Sequence, residues 1–237
     1  MENKQQLLKE IAIIRPILIV LLVFYHAFAI YNADAWLPIK GFPEIRAYWW
    51  LDKLSYAFML EAFVLVSGYV FGFQVRTRGE QKLEAGALFG GKFKRLIVPS
   101  MVFSLLYILL FGNIRQPLLD TMYSIVSGVG HMWFLPMLFL CFAALWFIEK
   151  LRLKPAMVVC VLAIISAVVP TDLPLQMGTS AYYLLFFYIG YSLQRNGLSF
   201  NRLYTPKFVA LSVVLFVCLF PSLTLLRENI SEIMGGG

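Results

Sequence analysis

Apolar residues occur in long blocks along this chain, and these blocks constrain its fold more than any other feature. A helix needs about 20 apolar residues to cross a bilayer core about 30 Å thick. Most of the 237 residues fall into blocks of that kind. Charged residues make up 14% of the sequence, well below the roughly 25% of a soluble domain. The sequence therefore predicts an all-α fold, a polytopic bundle of transmembrane helices.

We predict about seven spanning segments, separated by polar or proline-bearing loops. They are Ile11–Tyr31, Tyr48–Phe73, Leu96–Phe111, Met132–Ile148, Ala156–Pro170, Ala181–Leu193 and Phe208–Leu226. The fifth and sixth are short for a full span, which a tilted or partly re-entrant helix accommodates. Residues 1–10 are polar and precede no cleavage-site pattern, so the first segment is interpreted as a permanent helix. We predict that residues 1–237 form one integral-membrane domain, with a short tail at 230–237.

Lysine and arginine residues concentrate in alternate loops, which predicts the orientation of the chain. These cations are Lys4 and Lys9 at the N-terminus, Arg76, Arg78, Lys82, Lys92, Lys94 and Arg95 after segment two, Lys150, Arg152 and Lys154 after segment four, and Arg195, Arg202 and Lys207 after segment six. The positive-inside rule places these loops and the N-terminus in the cytoplasm. The tryptophans near the predicted outer ends are Trp36, Trp49, Trp50 and Trp133. Membrane topology thus accounts for the net charge of +7, which would otherwise suggest a nucleic-acid binder. We therefore predict the lipid bilayer, and not nucleic acid, as a partner.

Several common catalytic and metal-binding patterns are absent from the sequence. Cys141, Cys160 and Cys218 lie inside apolar runs without a CxxC pair, which indicates packing rather than metal binding or disulfides. There is no glycine-rich phosphate loop, no GxSxG and no HExxH pattern. Neither histidine begins an HxxxxD acyltransferase pattern. We therefore predict no metal and no permanently bound cofactor.

Arg15 and His26 lie in the first segment, eleven residues apart. Eleven residues of an α-helix turn back to within about 20° and rise about 16 Å. Both side chains therefore share one face, with Arg15 towards the cytoplasm. Ionisable groups within a bilayer are costly and are candidates for function. The alternatives are a lipid-phosphate anchor for Arg15 and a satisfied core or interfacial histidine for His26.

His131 opens the fourth segment and falls, like His26, near the predicted outer face. The chain has two histidines, and their placement at the same face indicates a shared site. The alternative is that His131 belongs to an interfacial aromatic belt together with Trp133.

Glu61 lies near the middle of the second segment. A carboxylate at that depth is expected to face the bundle and pair, or to stay protonated. The candidate partners are His26, Arg15 or a substrate hydroxyl, and the alternative is a structural hydrogen bond between helices. On the same helix, Gly68 and Gly72 form a small-xxx-small step that lets another helix approach closely.

A basic stretch that contains Lys92, Lys94 and Arg95 precedes the third segment. Several charged donors at a membrane edge suit phosphate binding, so Lys92 and Arg95 are candidate phosphate ligands. The alternative is topological, because basic residues are expected before a spanning helix.

Five short stretches follow one another in a distinctive order along the chain. They are Arg15-x10-His26, Phe63–Tyr69, Lys92-x-x-Arg95 with Pro99, His131–Leu135 and Tyr188–Tyr191. Together they resemble the signatures of the acyltransferase 3 family of integral-membrane enzymes. The resemblance implies transfer of an acyl group, commonly acetyl or succinyl, from acyl-coenzyme A to a carbohydrate hydroxyl. It also implies a bacterial inner-membrane location and, as acceptor, a cell-envelope carbohydrate or a lipid-linked sugar.

On this basis we hypothesise roles for six residues. They are Arg15, Lys92 and Arg95 as ligands of the donor phosphates, and His26, Glu61 and His131 as catalytic residues. His26 would act as general base or covalent acyl carrier. Glu61 would orient His26, and His131 would bind the acceptor or the oxyanion.

Two departures from the family pattern affect these expectations. Lys92 replaces the first arginine of the third-helix signature, which keeps the charge but loses the bidentate fork. Family members have about ten spanning helices, against about seven here, so we expect a C-terminally short member. The alternatives to an active enzyme are an inactive truncated member, or a transporter or flippase of a lipid-linked sugar or small anion.

Overall fold

A computed structural model describes residues 2–28, 31, 45–111, 117–197 and 205–235, and the regular elements among them are all helical. The α-helices are α1 (Glu2–Phe28), α2 (Arg46–Arg78), α3 (Ala85–Lys92), α4 (Val98–Phe111), α5 (Leu118–Ser127), α6 (Phe134–Leu151), α7 (Pro155–Val168), α8 (Met177–Arg195) and α9 (Pro206–Gly235). Short 3-10 helices occupy Glu80–Leu83, Gly130–Trp133 and Pro174–Gln176, and a π-helical turn occupies Phe93–Ile97. The predicted all-α fold is confirmed. The interfacial Trp36 and the loop cation Arg202 lie outside the described residues.

Four helical stretches in the described ranges are long and apolar enough to cross a membrane. They are Ile11–Phe28, Arg46–Arg78, Ala85–Phe111 and Gly130–Leu151. Two shorter apolar helices, Pro155–Val168 and Val209–Ser222, coincide with the predicted fifth and seventh segments. The helical membrane bundle is therefore confirmed, while the number of complete spans stays a prediction.

The third predicted segment was placed too late in the chain. The helical stretch begins at Ala85, not at Leu96, and passes from α3 through the π-helical turn into α4. Lys92 and Arg95 therefore lie within a helix and not in the loop where the sequence pattern put them. The physical reason is that long basic side chains can reach the membrane edge while their backbone stays helical.

Helix α5 was not predicted, because ten residues are too few for a span. Its apolar side chains are nevertheless exposed, among them Leu118, Leu119 and Met122. Such exposure is expected where a helix borders lipid rather than water.

The chain divides into two compact units. The first comprises the described parts of Met1–Met59 and Leu198–Gly237, and the second is Leu60–Gly197. In the first unit, Tyr25 of α1 stacks on Tyr56 of α2 with ring centroids 4.7 Å apart. Phe58 of α2 meets Phe216 of α9 edge to face, with ring centroids 5.8 Å apart. Aromatic contacts therefore join the three helices of this unit.

Glycines set the spacing of α2 and α8 in the second unit. A Cβ atom added to Gly68 would overlap the carbonyl oxygen of Phe187, and one added to Gly72 would overlap that of Tyr191. From the other side, a Cβ atom on Gly190 would overlap the carbonyl oxygen of Leu65. The predicted small-xxx-small step is confirmed, and α8 is the helix that uses it.

Candidate functional site

Arg15 and His26 both lie on α1, which is helical from one to the other. Arg15 is exposed and His26 is half-buried. The imidazole of His26 meets the ring of Tyr25 edge-on, with ring centroids 5.1 Å apart. The helix from which the shared face was inferred is therefore present in the structure. The ring of Tyr25 limits the orientation of the His26 imidazole.

Asp52 is a buried carboxylate in the same unit that the sequence analysis did not single out. It is 4% exposed, on the part of α2 that belongs to the first unit. Tyr56, four residues along the same helix, stacks on Tyr25, which is the ring neighbour of His26. The available signal was a lone carboxylate inside an apolar block, which is the same signal that identified Glu61.

Glu61 pairs with a tyrosine of α8. The hydroxyl of Tyr182 donates a hydrogen bond to Oε1 of Glu61, with an oxygen–oxygen distance of 3.1 Å. The other carboxylate oxygen, Oε2, is buried and has no hydrogen-bond partner among the described residues. One oxygen of Glu61 is thus held by Tyr182, and the other is buried and can still accept a hydrogen bond.

An aromatic cluster leads from Glu61 to the turn that carries His131. The rings of Tyr182 and Tyr183 are adjacent, with centroids 4.9 Å apart. Tyr183 in turn lies 6.1 Å from Trp133, measured between ring centroids. Because Trp133 and His131 share the same 3-10 helix, the aromatic cluster connects Glu61 to the turn that carries His131. Tyr182 and Tyr183 were missed, although two adjacent tyrosines inside an apolar block are visible in the sequence.

Two serines of α4 hold the His131 turn in place. Ser100 and Ser104 are both 0% exposed. The hydroxyl of Ser100 donates to the carbonyl oxygen of Met132 at 3.3 Å, and the backbone N–H of Val129 donates to Oγ of Ser104 at 3.1 Å. The serines are four residues apart and therefore lie on one helix face. His131 itself is exposed, so its imidazole is accessible on a turn with a fixed backbone.

Lys92 and Arg95 point in different directions at the π-helical turn. The ammonium of Lys92 lies 3.6 Å from the ring centroid of Phe142 and 5.0 Å from that of Phe71. Arg95, within the turn, is exposed. π-Helical turns are often found at functional sites. Lys92 therefore makes cation–π contacts in the interior, whereas Arg95 is available to a phosphate.

Charged side chains also meet where α2 and α8 end. Arg195 forms an ion pair with Glu80, and Nη1 of Arg76 donates to the carbonyl oxygen of Gln194 at 3.4 Å. Partial burial lowers the pKa of Arg195, but its hydrogen bond to Glu80 and nearby negative charge outweigh this and raise it. The guanidinium is therefore charged at all physiological pH values.

The predicted site residues divide between the two units. Arg15 and His26 belong to the first, and Glu61, Lys92, Arg95 and His131 belong to the second. Within the part of the chain that the structure describes, no three histidine, cysteine or carboxylate side chains are grouped closely enough to hold a metal ion.

Comparison with known families supports the resemblance noted in the sequence. The acyltransferase 3 family model, described as an acyltransferase domain, matches residues 8–233. Neither the curated proteins nor the solved structures give a match to the chain. The family match covers nearly the whole sequence and contains all five stretches that carry the resemblance. The chain therefore belongs to the acyltransferase 3 family, and it is a membrane acyltransferase.

Proposed function

We propose that this protein transfers an acetyl or succinyl group from acyl-coenzyme A to a hydroxyl of a cell-envelope carbohydrate or lipid-linked sugar in the bacterial inner membrane. The observation that carries the proposal is that Arg15 and His26 lie on one continuous helix, α1. Their spacing places both on one face, about 16 Å apart along the helix axis. A donor with charged phosphates at one end and a reactive thioester at the other matches this arrangement.

The reaction is a direct acyl transfer in this proposal. His26 removes the proton from the acceptor hydroxyl while the oxygen attacks the thioester carbonyl carbon. The carbon–sulfur bond breaks, and the departing thiolate of coenzyme A takes the proton from His26. An ester and a free thiol result, so atoms and charges balance. A positioned general base accelerates such a step by about 10²–10⁴-fold.

In the second unit, Glu61 and His131 are assigned to the acceptor. Oε2 of Glu61 would accept a hydrogen bond from a sugar hydroxyl that displaces the side chains burying it, while Tyr182 holds Oε1. His131 is exposed on a turn whose backbone is fixed by Ser100 and Ser104. It is assigned to the acceptor or to the negative charge that develops on the carbonyl oxygen.

The donor phosphates are assigned to Arg15, Arg95 and Lys92, and we expect Lys92 to contribute least to the binding. Arg15 and Arg95 are exposed, and a guanidinium can bind a phosphate through two parallel hydrogen bonds. Lys92 reaches a phosphate only by leaving the rings of Phe142 and Phe71. We therefore expect a larger loss of donor affinity from replacing either arginine than from replacing Lys92.

The test is acyl-coenzyme A binding and thioester turnover by the purified protein in detergent. Arg15→Ala should weaken donor binding at least about tenfold, since a charged hydrogen bond is lost. His26→Ala should keep donor binding but lower turnover at least about 100-fold. Lys94→Ala is the matched control, because it removes an exposed cation to which no role is assigned.

Two outcomes would contradict the proposal. Acyl transfer retained by His26→Ala would exclude this histidine as the base. If the well-folded wild type did not bind the donor, transport of a lipid-linked sugar or small anion would become the better hypothesis.

A further inference from the structure

A polar cavity of about 780 Å³ lies within the second unit, where α2 and α6 end. Its charged and aromatic lining residues are Arg78, Glu80, Glu84, Trp146, Glu149, Lys150 and Arg152. Pockets for small organic ligands have volumes of roughly 300–1,000 Å³. The cavity is therefore large enough for a ligand of that size, and none of the residues in the proposed acyl-transfer site lines it.

The charges of the cavity favour an anion. Glu80 is paired with Arg195, so its carboxylate is already neutralised. No ion pair involves Arg78, Lys150 or Arg152 among the described residues. Glu84 and Glu149 also line the cavity, so the three lining cations face three carboxylates, and Arg195 beside Glu80 leaves one positive charge in excess. Both lining arginines can bind a phosphate with two hydrogen bonds.

Arg152 occupies a backbone conformation that normally selects glycine. It follows α6 with φ of 50° and ψ of 36°, in the left-handed region. Helices commonly end with glycine or asparagine in this conformation, since other side chains are strained there. Strained residues cluster at ligand sites, where the side chain is needed. Arg152 therefore stands where glycine would be less strained, and its guanidinium lines the cavity.

Trp146 gives the cavity an aromatic wall whose orientation is fixed. Its Nε1 donates a hydrogen bond to the carbonyl oxygen of Leu83 at 2.9 Å. Its ring also packs against Phe89, with centroids 5.6 Å apart, and the ammonium of Lys150 lies 5.5 Å from the indole centroid. A fixed indole can stack against the base of a nucleotide, while the neighbouring cations bind phosphate.

We propose that this cavity binds a nucleotide phosphate, with the base against Trp146 and the phosphates on Arg78, Lys150 and Arg152. The identification of that nucleotide as the adenosine 3′,5′-bisphosphate portion of the acyl donor rests on the proposed function. The one donor phosphate left over, next to the pantetheine, is then the phosphate assigned to Arg15, Arg95 and Lys92. An anionic lipid headgroup shares the phosphate but lacks the base. The aromatic wall therefore favours the nucleotide over the lipid.

The direct test measures binding of adenosine 3′,5′-bisphosphate to the full chain in detergent. Arg152→Gly should weaken binding about tenfold or more, because one charged phosphate contact is lost. The same variant relieves the left-handed strain, so its unfolding temperature should not fall. Lys154→Ala removes a nearby exposed cation that does not line the cavity, and its affinity should stay within about twofold of the wild type. Pyrophosphate should bind the wild type about tenfold more weakly than the nucleotide, since it lacks a base to stack.

Three results would overturn the proposal. One is unchanged nucleotide affinity in Arg152→Gly. Another is pyrophosphate binding as tightly as the nucleotide. The third is nucleotide binding abolished by adding phosphatidylglycerol to micelles of neutral detergent, which would assign the cavity to lipid.

A second assay separates this inference from the proposed function. Acyl-coenzyme A is compared with acyl-pantetheine, which has the thioester but lacks the nucleotide. We expect the wild type to prefer acyl-coenzyme A and Arg152→Gly to lose most of that preference while using acyl-pantetheine at an unchanged rate. No transfer from either donor, with nucleotide binding still dependent on Arg152, would contradict the proposed function and leave the cavity site supported. Transfer with an unchanged donor preference in Arg152→Gly would contradict the cavity site alone.

Discussion

The two ends of α6 are held in the second unit by different chemistry. At its C-terminal end, charged side chains gather around the cavity, and the ion pair there joins Arg195, which is 31% exposed, to Glu80, which is 70% exposed. At its N-terminal end, two neutral serines that are 0% exposed hold the backbone of the His131 turn. The side chains at the C-terminal end are therefore charged and exposed, whereas the serines at the N-terminal end are neutral and buried.

This difference indicates how much each end can change shape. An exposed ion pair contributes at most about 1 kcal/mol and is screened by salt, so the cavity end can rearrange around a ligand at little cost. A buried hydrogen bond leaves an unsatisfied group when one partner is removed, which costs about 1–3 kcal/mol. The His131 turn is therefore the more rigid of the two.

Breaking the contact between α2 and α8 should disturb both ends at once and have the largest effect. Gly68→Ala places a methyl group against the carbonyl oxygen of Phe187, and such backbone overlap should lower the free energy of unfolding by about 3 kcal/mol. Gly90→Ala is the control, because no atom lies within 4 Å of its added Cβ and alanine favours the helix by about 1 kcal/mol. Thermal unfolding in detergent should therefore shift in opposite directions for the two variants. A stable Gly68→Ala protein would mean that the helices are not in close contact.

Removing both serines should loosen the neutral end alone. Ser100→Ala with Ser104→Ala leaves the N–H of Val129 and the carbonyl of Met132 without their partners, at an expected cost of about 2 kcal/mol. His131 should then react faster with diethyl pyrocarbonate, while nucleotide binding at the cavity stays the same. Ser166→Ala is the control, because its exposed hydroxyl bonds to Ala163 within its own helix. Unchanged reactivity of His131 in the double variant would show that the serines do not fix the turn.

The pair between Glu61 and Tyr182 should have an intermediate effect. A double-mutant cycle with Tyr182→Phe and Glu61→Gln is expected to give a coupling energy of about 1 kcal/mol in thermal unfolding. Acceptor KM should rise in both single variants if Glu61 binds the acceptor hydroxyl. Additive single effects would indicate that the 3.1 Å hydrogen bond does not persist in the membrane.

The smallest effect is expected at the charged end. Glu80→Gln removes the ion pair with Arg195 and should cost no more than about 0.5 kcal/mol at low ionic strength. Raising the salt concentration should abolish that difference, whereas the effect of the serine variants should not depend on salt. A salt-independent loss in Glu80→Gln would contradict the view of this end as open and solvated.

The sequence predicted the fold well wherever apolar blocks were long. All seven predicted segments coincide with helices, because the length of an apolar block directly reflects the thickness of a bilayer. The same reasoning missed α5, whose ten residues are too short for a span. It also placed the start of the third segment too late, because Lys92 and Arg95 were taken to mark a loop.

The relative positions of site residues were predictable only where the residues lie on the same helix. Arg15 and His26 share one helix, so their relation follows from helical periodicity. Tyr182 is 121 residues from Glu61, and Ser100 is 32 residues from Met132. Contacts of this kind depend on how the helices pack, and a single sequence carries no direct signal for them. The roles of the six predicted residues, three in donor binding and three in catalysis, remain predictions.

The π-helical turn at Phe93–Ile97 lies between α3 and α4 and gives this helical stretch one position at which the chain can change length. Such a turn holds one residue more than an α-helical turn, while the helix on either side keeps its course. Deleting one residue there would produce a continuous α-helix and leave Lys92 and Ser100 facing their present neighbours. The same deletion farther along would rotate everything beyond it by about 100°. We therefore expect deletion of one residue to be tolerated at the turn that carries Arg95, without disturbing the serines that hold the His131 turn.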